Sequence, residues 1–92
     1  MMCLVFWDKK IIDGVYRKLS SRNILYTQLY LPDQIWSIVL EFSTPPIEQG
    51  YECIANEVYF LADTAPHYLL VDGFKFDFLD GPRKIGECIV AT

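Results

Sequence analysis

Histidine is scarce in this sequence, cysteines are few and scattered, and there is no long run of one charge sign or of apolar residues. A single histidine, His67, stands among 92 residues, so one side chain alone has an unperturbed pKa near neutrality. Three cysteines, Cys3, Cys53 and Cys88, are an odd number at wide spacing. That excludes a fully paired disulfide framework, and it lacks the close ligand pairs of a four-ligand zinc site. Reduced thiols and a cytoplasmic location are the expectation. No stretch reaches the roughly 20 apolar residues of a membrane helix. The apolar opening Met1 to Trp7 stops at Asp8, and Lys9 and Lys10 follow it on the wrong side for a secretory signal. A G-x-x-x-x-G-K-[ST] phosphate loop is missing, so no nucleotide is expected. No amphipathic helix of ten or more residues is visible in the spacing.

What is present is a compact composition. Hydrophobic residues make up 52% and aromatics 15%, against 22% charged, which is too apolar for disorder. The length fits a single domain over residues 1–92. The net charge of −4 is unevenly spread. Residues 1–22 carry Lys9, Lys10, Arg17, Lys18 and Arg22 against Asp8 and Asp13, a balance of +3, and the remainder carries −7. The first 22 residues therefore read as a basic N-terminal strand or arm attached to an acidic body. Acidity of the body disfavours polyphosphate partners.

Hydrophobic alternation of period 2 runs through most of the chain. Phe74, Phe76 and Phe78 alternate with Lys75 and Asp77, giving a half-buried strand over 74–79. Asp80-Gly81 supplies turn chemistry and Pro82 precedes a second strand over 84–91, so the C-terminus is a hairpin. Residues 52–61 alternate too, with Cys53, Ala55 and Tyr59 predicted on one face and Ile54, Val58 and Phe60 on the other. Residues 35–42 are almost continuously apolar, as for a strand covered on both sides, and 24–31 is a further strand ending at Pro32-Asp33. Residues 2–7 make a fifth, and 11–18 a sixth or a short helical turn. Pro45-Pro46, Gly50, Asp63 to Pro66 and Asp72-Gly73 punctuate the loops. Such short strands, evenly spaced with Gly/Pro turns, predict an all-β fold: a small closed or nearly closed antiparallel β-barrel of about six strands, with a β-sandwich as the alternative.

The C-terminal run GFKFDFLDGPRKIGECIV at 73–90 resembles the end of the C-terminal β-barrel domain of elongation factor Tu. Gly73, Phe74, Phe76, Asp80, Gly81, Arg83, Ile85 and Gly86 match that family's residue types in order, and Ala55 to Leu61 is similar to its penultimate strand. Pro45, Pro46 and Gly50 sit where that barrel has its proline-then-glycine turn, so the resemblance covers about residues 35–91. It departs at Cys88, where the family tends to have a second glycine. The resemblance implies a freestanding barrel without the GTPase domain, and a bacterial source. The family's transfer-RNA contact is not carried over, because fold does not transmit function and the matching stretch is acidic.

Candidate chemistry is sparse. His67 with Cys53 or Cys88 would need an orienting third group and an oxyanion site, and nothing local supplies either. Asp72 and Asp80 read as turn formers and Asp77 as part of a solvated strand face, so no catalytic residue, metal or cofactor is expected. Aromatics are the richer signal: six Tyr, six Phe and two Trp exceed what one small core requires. Trp36, Tyr51, Tyr59 and Tyr68 are the candidate partner surface, since Tyr and Trp are favoured at protein interfaces. The strands over 35–61 hold no lysine or arginine to accompany base stacking, so nucleic acid is disfavoured. The expected function is a non-catalytic interaction module with an unknown protein partner, which includes self-association. Alternatives are an RNA-binding accessory using the basic segment 9–22 and a toxin-neutralising immunity protein.

Overall fold

The computed structural model describes residues 1–9 and 15–92. Among these residues seven strands are present: β1 (Met2–Trp7), β2 (Ile24–Tyr30), β3 (Ile35–Glu41), β4 (Glu52–Ala55), β5 (Glu57–Phe60), β6 (Lys75–Asp80) and β7 (Arg83–Ala91). They form two antiparallel sheets, a four-stranded one in the order β4-β1-β7-β6 and a three-stranded one in the order β2-β3-β5. A four-residue helix, α1 (Pro46–Gln49), and a 3-10 turn (His67–Leu69) complete the described elements. The first half of the expected strand or helical turn over 11–18, residues 11–14, lies outside the described residues. Beyond them Tyr16 makes one isolated bridge.

The C-terminal hairpin forms as its turn chemistry predicts. Asp80 pairs with Arg83, leaving Gly81 and Pro82 as a two-residue loop. Gly81 has φ 61° and proline fixes the next φ near −65°, the combination of a type II′ turn, whose twist matches that of the strands it joins. The β6–β7 register then slips by one between Phe78 and Leu79. The Leu79 backbone faces away from β7, and the buried Thr27 of β2 meets it: Leu79 N–H donates to Thr27 Oγ1 at 2.7 Å, and the same hydroxyl donates to the Leu79 carbonyl at 3.2 Å.

The stretch 52–61 departs from its expected faces. Cys53 and Ala55 are buried, but so are Val58 and Phe60, while Ile54 and Tyr59 are exposed. The phase flips because the chain bends at Asn56 and passes from one sheet to the other. Asn56 N–H donates to the Glu41 carbonyl at 2.7 Å, and its Oδ1 accepts Ser43 N–H at 2.7 Å. Two residues instead of one thus separate the buried pairs, and one predicted strand becomes β4 and β5. Nearby, the Gln49 amide reaches β4: its Oε1 accepts Ile54 N–H at 2.8 Å and its Nε2 donates to the Ile54 carbonyl at 3.0 Å. The side chain thus occupies backbone groups on β4 in place of another strand.

The all-β class therefore stands, as two antiparallel sheets. A continuously laddered barrel does not form among the described residues, since β2 and β6 are joined by the Thr27 side chain in place of a backbone ladder. The inner faces share one core built from Cys3, Val5 and Trp7 of β1, Ile38 and Leu40 of β3, and the inward residues of β4 to β7. Trp7 stands edge-on to Phe78 with centroids 4.7 Å apart, over Gly86, which pairs with both residues across the sheet. A Cβ at Gly86 would lie 2.9 Å from the Phe6 carbonyl oxygen, so the absence of a side chain is what lets β7 approach β1 here. No helix among the described residues is long and apolar enough to cross a membrane.

Candidate functional site

The outer face of the β2-β3-β5 sheet is built by strict alternation. Leu25, Thr27 and Leu29 of β2 point inward, which places Ile24, Tyr26, Gln28 and Tyr30 outside; on β3 the outward set is Ile35, Ser37, Val39 and Glu41. Glu57 and Tyr59 of β5 complete it, and Leu61 extends it by donating its N–H to the Ser37 carbonyl at 3.0 Å. The register sets these residues in rows: Ile24–Glu41–Glu57, then Tyr26–Val39–Tyr59. Val39 lies outside the core cluster and is nevertheless only 2% exposed, because a tyrosine flanks it on each neighbouring strand. Six large apolar or aromatic residues remain exposed around it: Ile24, Tyr26, Tyr30, Ile35, Tyr59 and Leu61.

Charge on this face is confined to one end and already engaged. Tyr59 donates its hydroxyl to Glu41 Oε2, a bond that together with partial burial and the Glu41 charge raises the phenol above its ordinary value. Glu57 Oε2 lies 3.1 Å from the Met1 amino group. The outer face of the other sheet is different: Lys84 there pairs with Asp77 at 3.5 Å and Glu87 at 2.9 Å. The Lys84 bond lowers the Glu87 carboxyl, and the Glu87 bond raises the Lys84 ammonium.

The four aromatics expected to make a partner surface do not come together. Tyr59 lies on the sheet face just described. Tyr68 is 78% exposed in the turn after Pro66. Trp36 shares the inward phase of Ile38 and Leu40 and is half-buried against the core. Tyr51 also packs on the core, and its hydroxyl donates to the Arg17 carbonyl at 2.8 Å. The residues that do surround Tyr59 were missed because Ile24 to Leu31 is apolar in both phases. A buried Thr27 in one phase and exposed tyrosines in the other reverse what hydrophobicity alone would assign.

The basic segment is held against the body where it is described. Arg17 donates its N–H to the Lys9 carbonyl at 2.8 Å and its Nε to the Asp8 carbonyl at 3.3 Å. The Ser20 carbonyl accepts Ile47 N–H at 2.9 Å, and Leu19 packs on the core. Lys9, Lys18 and Arg22 are exposed, and Lys10 lies outside the described residues. Where β2 and β6 diverge, a cavity of about 290 Å³ opens beside this segment, with Trp7, Leu25 and Phe78 among its walls and Arg17, Lys18 and Asp80 also lining it.

The titratable nucleophiles take separate partners. His67 Nε2 is 2.9 Å from the Asp63 carbonyl, and its ring stands edge-on to Phe60. Cys53 Sγ accepts Trp7 Nε1–H at 3.2 Å and donates to the Gly50 carbonyl at 2.9 Å. Burial pushes the Cys53 thiol up, and the Trp7 bond offsets that in part. The hydrogen bond with Cys3, together with burial, pushes the Cys88 thiol up. No protein-family model, curated protein or solved structure matches the chain.

Proposed function

We propose that this protein is a non-catalytic protein-interaction module whose binding surface is the outer face of the β2-β3-β5 sheet. One observation carries the reading: six exposed apolar and aromatic side chains cluster on one side of a sheet whose other side is already core. Clustered apolar exposure of this kind marks interaction surfaces, whereas scattered exposure does not. Tyrosine suits such a role, since it adds large contact area at low entropic cost and keeps a polar tip. The lack of lysine or arginine on the face among the described residues favours protein over nucleic acid. Raised, buried Cys53 and Cys88 thiols, a Cys3 thiol that is lowered by its Cys88 bond but fully buried, and a histidine bonded elsewhere support the non-catalytic part of the reading. As scaffold, we propose a nearly closed barrel of the elongation factor Tu C-terminal type. The passage between sheets at Asn56 and the Thr27 bridge from β2 to β6 support it.

Site-specific photocrosslinking in the protein's own cells tests the reading. A photoreactive amino acid in place of Ile35 is expected to give a discrete polypeptide adduct, and one in place of Lys75, on the charged sheet, none. Absence of any adduct from position 35 would overturn the assignment of this face.

A further inference from the structure

Given that reading of the sheet face, we infer that its occupant is a second copy of this chain, packed face to face about a two-fold axis that lies in the plane between the two sheets and runs across the strands. The six side chains are between 39% and 60% exposed; at about 200 Å² for a large side chain they present on the order of 600 Å². Gln28, Ser37 and the two glutamates around them bring the face towards the roughly 800 Å² per partner of a stable interface. A patch of this size is at or above the top of the range that monomers carry, roughly 300–600 Å².

Glu41 and Glu57 are the two formal charges among the outward residues, and both sit at the end that also holds Ile24. The opposite end, with Tyr30, Ile35 and Leu61, has none. A two-fold axis lying between the faces and crossing the strands at their middle runs the strands of the two copies antiparallel, so each carboxylate end lies over the partner's uncharged end. Like charges are thereby kept apart, which an interface requires. Both carboxylates also have partners within their own chain, the Tyr59 hydroxyl and the Met1 amino group. The face thus offers a basic partner little unmatched charge and suits a surface as neutral as itself.

Each face is one side of a short antiparallel sheet with Tyr26 and Tyr59 flanking a low centre at Val39. Two such faces, related by the axis and crossing at about 30°, interdigitate as the layers of a sandwich do. The contact is isologous, so it closes at two copies and does not propagate.

Sedimentation velocity over concentrations up to about 200 µM tests the proposal. The expected species has twice the 10.7 kDa chain mass. Each chain carries a net charge of −4, so added salt should favour association by screening the repulsion. In high salt, where the net charge is screened, Ile35→Glu and Tyr26→Glu should each weaken association at least tenfold while leaving the far-ultraviolet spectrum unchanged, and Lys75→Glu should leave association unchanged. A wild-type monomer at the highest concentration in both low and high salt would overturn the proposal, as would a dimer that survives Ile35→Glu. The crosslinks at position 35 separate the two levels of argument. An adduct with a different polypeptide overturns self-association and keeps the interaction surface, and no adduct at all overturns the surface itself.

Discussion

Tyr59 links the sheet face to its charge through one hydroxyl. It donates to the Glu41 carboxylate, and ionising the phenol would replace an attraction with a repulsion. Its folded pKa is therefore raised above the ordinary 10.0, and the sign of the pH effect follows. The bond's stabilisation is fully present below the unfolded value and is lost as pH rises through the raised folded value. Ultraviolet difference titration of the wild type against Tyr59→Phe should reveal a phenolate forming late, and Glu41→Gln should bring it back towards 10.0. A second single-residue constraint lies at Gly86, where an added Cβ meets the Phe6 carbonyl oxygen at 2.9 Å and Trp7 Cε3 at 3.2 Å. The backbone oxygen belongs to a central strand and cannot swing aside. Gly86→Ala should cost about 1–3 kcal/mol, read as a lower urea midpoint with an unchanged slope.

At the scale of elements, the question is how the four-stranded sheet manages its edges, and single side chains supply the answer. Gln49 occupies the Ile54 backbone on β4, and Thr27 occupies the Leu79 backbone on β6. Thr27→Val keeps the shape and removes both bonds, leaving a part-buried N–H and carbonyl without their partner. The expected loss is about 1–3 kcal/mol by chemical denaturation, with Thr27→Ser recovering most of it. Strand existence was legible in the sequence, because period 2 with Gly/Pro punctuation survives any tertiary context; β1, β2, β3, β6 and β7 lie within two residues of their predicted bounds. Which way a strand faces was not legible wherever both phases are apolar. The flip at Asn56 depends on a side-chain bond to Ser43 N–H, 13 residues away, and Thr27 looks polar until its partner 52 residues distant is known. For the same reason an aromatic count could not separate Tyr59 from Trp36 and Tyr51, which turn to the core.

At the scale of the whole molecule, the cysteines report how the two sheets open. Cys3, Cys53 and Cys88 are all free and buried, on strands β1, β4 and β7 of one sheet. Thiolate is the reactive form. It is suppressed at Cys88 by the bond to Cys3 and by burial, and at Cys53 chiefly by burial; at Cys3 the bond to Cys88 lowers the thiol, and its protection is complete burial. An aromatic disulfide reagent should therefore label no thiol promptly in the native protein and all three after denaturation. Slow native labelling would then require the sheets to separate, and its rate should follow the population of the open state. If opening is global, a destabilisation of about 1.4 kcal/mol accelerates labelling tenfold. Thr27→Val and Gly86→Ala should then speed all three thiols by a common factor matching their equilibrium losses. If Cys53 alone accelerates, the corner formed by α1 and β4 opens independently of the β1–β7 pair. Trp7 ties that corner to the rest of the core by donating its indole N–H to Cys53 while packing on Phe78. That shared contact is the reason to expect the common factor.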